Sequence, residues 1–168
     1  MDDLFISDDV LGPDEKILII FKGQNPMNIL KIIKAEIKSI YQIPGKDIKT
    51  LKLNWDASSD NREIYAQWLI EKKMDKWSKN WVIFIVQGHV DAKTNKGDIT
   101  FIMVPRIQTK INYSNFLQRA FWYIYNRWFY RKQRMKYIEE AKDLAFKFRD
   151  KITDELGIPR KMYFEDRV

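Results

Sequence analysis

The chain has 168 residues, 45% hydrophobic and 32% charged, with a formal net charge of +7. That size suits one domain burying about 70% of its unfolded surface around a single core, and the composition excludes general disorder. The absence of cysteine excludes disulfides, thiolate chemistry and sulfur-ligated zinc, and fits a reducing cytoplasm, the expected location.

Residues 1–15 carry six acids and no base, which leaves 30 bases against 17 acids in residues 16–168. The start lacks the positive charge of a secretory leader, and no later apolar run reaches the roughly eighteen residues of a membrane span. Such an acidic segment either folds over a basic face or stays solvated. The expectation is a mobile arm over 1–15, a single α+β domain over 16–157 and a tail over 158–168.

Lys16 to Lys22 is a short apolar run closed by Gly23, which predicts a first strand buried on both faces or lying at the floor of a core. Asn25-Pro26 supplies a capping acceptor and a fixed first helical dihedral. Ile29, Leu30, Ile33, Ile37, Ile40 and Tyr41 then recur at helical spacing, predicting a helix over Pro26 to Gln42 that Pro44-Gly45 stops. Period-two alternation follows at Leu51, Leu53 and Trp55, and again at Ile64, Ala66, Trp68 and Ile70. Trp81 to Val90 is apolar enough to be central, and Ile99 to Ile111 closes the set after a hairpin loop containing Asn95-Lys96-Gly97. Pro105 cannot donate to a ladder, which predicts an edge or a bulge there. These elements make an antiparallel sheet of about five strands in the order β-α-β-β-β-β-α.

From Tyr113 to Leu156 the sequence reads as helix, with Leu117, Phe121, Ile124, Trp128, Met135, Ile138, Ala145, Phe148 and Ile152 on one stripe and Gly157 as its stop. Unbroken, it would be about 66 Å long against about 40 Å for a compact domain of this size. Either it kinks near Asn126 or one end projects. The aromatic residues from Phe121 to Tyr130 go all round the cylinder, so one sheet cannot cover them.

Strand, helix, meander and long terminal helix resemble the helix-grip proteins, in which a curved sheet wraps the last helix. That resemblance implies a hydrophobic cavity between them, although this chain has fewer strands and one early helix. Gly23-x-Asn25-Pro26, Trp55-Asp56-x-Ser58 and Arg62-Glu63-x-Tyr65-x-x-Trp68 are similar to a group of small uncharacterised archaeal proteins, a likeness that brings no activity with it.

Convergent titratable groups are scarce. His89 is the only histidine, and no phosphate loop, nucleophile elbow or spaced ligand set is present. Asp56, Asp60 and Glu63 around a turn are read as satisfying backbone donors. No catalytic residue, cofactor or metal is expected.

Residues 99–138 hold no carboxylate, but eight basic and eleven aromatic side chains. An average stretch of that length would carry about five or six acids. Arg127, Arg131 and Arg134 fall along one helical row with Lys132 and Lys136 at its flank, a stripe suited to phosphate. The reading is a non-enzymatic binding protein that presents a basic aromatic helix to an anionic partner, first of all RNA or DNA. Arg127, Arg131, Lys132, Arg134 and Lys136 would meet phosphates, Trp122 and Tyr130 would stack or wedge, and Arg119 belongs to the same partner-binding surface. The alternatives are a protein partner, including a second copy of the chain, and a membrane interface. A hydrophobic ligand under the helix is disfavoured by the bulk of the Trp and Phe side chains.

Overall fold

The computed structural model describes residues 2–159. Residues 160–168, most of the expected tail, lie outside the described residues. The elements are β1 (Asp2–Asp9), β2 (Ile17–Gln24), α1 (Asn28–Tyr41), β3 (Ile48–Asp56), β4 (Asn61–Lys73), β5 (Ser78–Asp91), β6 (Lys96–Tyr113), α2 (Phe116–Tyr125) and α3 (Arg131–Leu156). A π-helical turn over Asn126–Tyr130 joins α2 to α3. The expected α+β class is what the chain forms, with six strands instead of five.

Strands β3 to β6 make an antiparallel meander in which β5 is central. Along the free side of β6 lie two strands end to end, β2 against Lys96–Met103 and β1 against Arg106–Tyr113. Pro105 therefore sits inside the sheet rather than at an edge. Val104 and Pro105 occupy the gap where the partner of β6 changes from β2 to β1, the place where a missing N–H is tolerated.

The acidic start is β1, not a mobile arm. Its alternation places Leu4, Ile6 and Asp8 on one face, all half-buried, and its backbone satisfies the otherwise open edge of β6. Asp3 pairs with Lys110 at 2.7 Å, so the acids lie on the basic body they complement. Beyond it Val10 packs with Ile107 and Ala141, and Leu11 enters the main core.

That core lies on one face of the sheet, between β2, β4, β5 and β6 below and α1 and α3 above. Ile29, Ile33, Ile37 and Tyr41 bury one side of α1, while Ala145, Phe148 and Ile152 bury that of α3. Phe148 meets Phe84, Phe101 and Tyr41 with ring centroids 5.3, 5.8 and 6.3 Å away. Burial pushes the Tyr41 hydroxyl well above its ordinary value, and its hydrogen goes to Met103 Sδ at 3.7 Å. The opposite face carries no helix among the described residues, so β2 is buried on one face only and Ile20 is exposed.

Two local expectations are corrected. Asn25 does not cap α1. It takes a left-handed backbone, φ 51°, and its N–H donates to Asn95 O at 2.8 Å, while Met27 starts the helix without a side-chain cap. Asn is one of the few residues that tolerates this region.

The stripe proposed for the last helix also divides. Leu117, Phe121, Ile124, Trp128 and Met135 are exposed, whereas Ala145, Phe148 and Ile152 are buried. A straight helix lags a seven-residue repeat by about 20° per heptad, and the π turn adds further lag in the same sense. The two halves of the stripe thus face different sides. The inward row is Tyr130, Arg134, Tyr137, Ala141, Ala145, Phe148 and Ile152.

Candidate functional site

The helical stretch before α3 begins with a reciprocal cap. Asn115 Oδ1 accepts from the Gln118 N–H at 2.8 Å, and Gln118 Oε1 accepts from the Ser114 N–H at 2.8 Å and its hydroxyl at 3.0 Å. From there α2 runs to the π turn, where the Arg131 N–H reaches back to Asn126 O. A π turn is rare inside an α-helix, is frequent at functional sites, and shifts the phase of the side chains that follow its start. The side chain re-aimed here is Tyr130.

Tyr130 is 4% exposed. Its hydroxyl donates to Asp75 Oδ2 at 2.6 Å and also meets Ser78 Oγ at 2.7 Å, which in turn meets Thr109 Oγ1 at 2.6 Å. Tyr137 donates to the same Asp75 oxygen at 3.0 Å, while Asp75 Oδ1 accepts the N–H groups of Trp77 and Ser78, each at 2.7 Å. Burial pushes the Asp75 carboxyl up, but the donors around it outweigh burial and hold it below its ordinary value. Burial, then the bond to Asp75, pushes the Tyr130 hydroxyl above its own.

Trp77 completes the clamp. Its ring lies edge-on to Trp122, Tyr130 and Tyr125 at 5.0, 5.3 and 6.3 Å, with Lys76 Nζ 4.1 Å from its centre. The expected stacking residues Trp122 and Tyr130 thus face inward and hold the helix to the β4–β5 turn. Sequence periodicity missed this because the two are brought to Trp77 by a turn far away in the chain.

Arg134 is engaged as well. Its Nη2 donates to Asp8 Oδ1 at 2.9 Å, its Nε lies 2.8 Å from Asp8 Oδ2 as an ion pair without hydrogen-bond geometry, and Nη1 donates to Asn126 Oδ1 at 2.8 Å. Arg119, Arg127, Arg131, Lys132 and Lys136 are exposed, and none makes an ion pair among the described residues. Arg119 rests over Tyr113 at 5.8 Å. Arg127, Arg131 and Arg134 line one groove of about 530 Å³ between the helix and β1, with Arg134 already paired.

Along this stretch eight large apolar side chains are exposed. Phe116 and Leu117 reach 79% and 77%, Trp128 and Phe129 69% and 67%, and Tyr123, Phe121, Ile124 and Met135 lie between 48% and 65%. No element of the chain covers them among the described residues. No helix there is long and apolar enough to cross a membrane.

A second cluster follows from strand register, which sequence alone did not give. Asp56 stands opposite Glu63, Glu63 opposite His89 and His89 opposite Asp98, in one row across β3 to β6 on the uncovered face. His89 Nδ1 is 3.7 Å from Glu63 Oε1, and both side chains are about half exposed or more, at 49% and 64%. Among the described residues no group of three acids or histidines is placed to hold a metal. Asp56 accepts the Ser58 N–H at 2.9 Å, as expected for a turn carboxylate, whereas Asp60 pairs with the Lys93 side chain at 2.6 Å.

No family model matches the chain, and no curated protein matches it in sequence. Among solved structures an uncharacterised protein from Rhizobium leguminosarum is similar over 94% of this chain and 99% of its own, at 7% identity and a TM-score of 0.25. That level of likeness carries no argument about fold or function.

Proposed function

We propose that the protein is a non-enzymatic binding protein that docks through Phe116–Lys136, and that the surface it docks on is an anionic lipid interface. The observation that carries this reading is the exposed apolar array of Phe116 to Met135, set among five cations that make no ion pair among the described residues, in a stretch without carboxylates. Contiguous exposed apolar surface of this kind marks an interaction site. An amphipathic helix in a lipid interface seats its apolar side at the headgroup and acyl boundary, keeps Trp and Tyr at headgroup level, and sets Lys and Arg against anionic lipid.

What favours lipid over nucleic acid is the character of the exposed groups. Leu117, Ile124 and Met135 gain nothing from phosphates or base faces, and protein–nucleic acid interfaces are polar. The rings of Trp122 and Tyr130, suited to stacking, are engaged with Trp77 and Asp75. A protein partner would use the same Trp, Tyr and Arg residues but would need its own acidic rim. An anionic bilayer supplies negative charge all along the helix.

The test is co-sedimentation of the full chain with phosphatidylcholine vesicles, with and without phosphatidylserine, at low and high salt. Binding is expected only to the anionic vesicles, weakening with salt, with a blue shift of tryptophan emission. Absence of vesicle binding together with steeply salt-dependent binding of a single-stranded RNA oligomer would overturn the lipid reading in favour of nucleic acid. Absence of both, with a stable oligomer by light scattering, would overturn it in favour of self-association.

A further inference from the structure

We propose that the groove between β1 and the helix is a site for a single amphiphile bearing a phosphomonoester, a specificity site within the docking surface, and this rests on the docking reading above. The walls are unlike. Arg127 and Arg131 stand on the helix side with Asn126 and Arg134, while Leu4 and Ile6 of β1 contribute the apolar side. The volume, about 530 Å³, lies in the range of small-molecule sites.

Charge selects the headgroup. Arg134 is neutralised by Asp8, which approaches it through both carboxylate oxygens, and Asn126 fixes its remaining nitrogen. Its plane is rigid and it adds little net charge. Arg127 and Arg131 have no acid partner among the described residues, so two full positive charges face the groove. A phosphomonoester carries a charge of about −1.5 to −2 at neutral pH, matching two guanidiniums, and its oxygens suit their forked donors. A phosphodiester, as in ordinary lipid headgroups or a nucleic-acid backbone, carries one charge and leaves one arginine uncompensated. Leu4 and Ile6 then give an attached acyl chain somewhere to lie, which inorganic phosphate cannot use.

Position links the groove to docking. It is bounded by the same turns that expose Tyr123 and Trp128, so an amphiphile entering from a bilayer need not leave it completely.

The experiment compares vesicles containing phosphatidate with vesicles of phosphatidylserine matched for surface charge, and adds titrations of the full chain with short-chain phosphatidate and with inorganic phosphate. Phosphatidate vesicles are expected to bind more tightly, and short-chain phosphatidate to bind in solution and compete. Arg127→Gln with Arg131→Gln should lower phosphatidate affinity by about 100-fold and erase the preference. Both side chains are exposed, so an unchanged unfolding midpoint is expected to accompany that loss. Lys132→Gln with Lys136→Gln should weaken both lipids alike. Equal binding of the two lipids overturns the groove and leaves docking standing. Binding of short-chain phosphatidate without any vesicle binding keeps the groove and overturns docking. Inorganic phosphate binding as tightly as short-chain phosphatidate overturns the amphiphile in favour of a free anion.

Discussion

The two halves of the C-terminal helical stretch carry the same kind of apolar side chains at the same spacing and meet opposite fates. Leu117, Phe121, Ile124 and Trp128 stand 59–77% exposed, while Ala141, Ala145, Phe148 and Ile152 are fully buried. Where they meet lies one π turn, which carries Trp128, and the end of the sheet's cover. Helical periodicity states that a stripe must be buried. It does not state whether the chain or something outside it does the burying. On α3 the sheet does so, and on α2 the protein holds only the inward side, through Trp77 and the Asp75 network, leaving the outer side for a partner.

The largest effect on stability is expected on the buried half. Phe148→Ala removes a ring packed against three others, and unfolding in urea is expected to show a loss of about 3–5 kcal/mol. At the boundary between the halves the effect is smaller. Tyr130→Phe strips the hydroxyl that joins Asp75 to Ser78 and is expected to cost about 1–3 kcal/mol at neutral pH. Its pH dependence has a definite sign. Asp75 is held below its ordinary value, so the unfolded chain binds its proton more readily. The network's stabilisation is therefore present above the ordinary carboxyl range near pH 4 and is lost as pH falls through the lower folded value. Denaturant titrations of wild type and Asp75→Asn should converge on going from pH 7 to acid, and a gap that widened instead would assign the network no such role.

Much of the frame was legible because local pattern and long-range packing agree. Period two marks β3 to β6, the Ile29–Tyr41 spacing marks α1, and Gly157 at φ 62° ends α3 where its sequence position suggested. β1 was not legible because Asp2, Asp3, Asp8 and Asp9 resemble a solvated arm, and only pairing with the open edge of β6, with Asp3 on Lys110 and Asp8 on Arg134 of α3, makes the segment a strand. The arginine row was readable from spacing, but that Asp8 neutralises one member of it depends on a contact 126 residues away in the chain. The same holds for Tyr130, whose aromatic character was visible and whose inward aim is set by a π turn. The row Asp56, Glu63, His89 and Asp98 needs three strand registers, none of which any single strand specifies.

On the exposed half the expected effect on stability is the smallest, and that contrast is what the comparison turns on. Trp128 is 69% exposed and Phe121 60%, so Trp128→Ser with Phe121→Ser removes little that the fold uses. Phe121 does meet Tyr125 and Trp122 of the clamp, with ring centroids 6.0 and 5.9 Å away, but from its solvent side. The unfolding free energy should stay within about 0.5 kcal/mol of wild type, since the positions carry no core contact. Association with anionic vesicles should nevertheless collapse, because each large ring seated in an apolar phase is worth about 1.5–3 kcal/mol. The substitution is conservative for the folded chain and severe for docking only if the outer side is covered by a partner. A variant that loses as much stability as Tyr130→Phe would mean that the outer rings stabilise the fold itself, and the division between the halves would disappear.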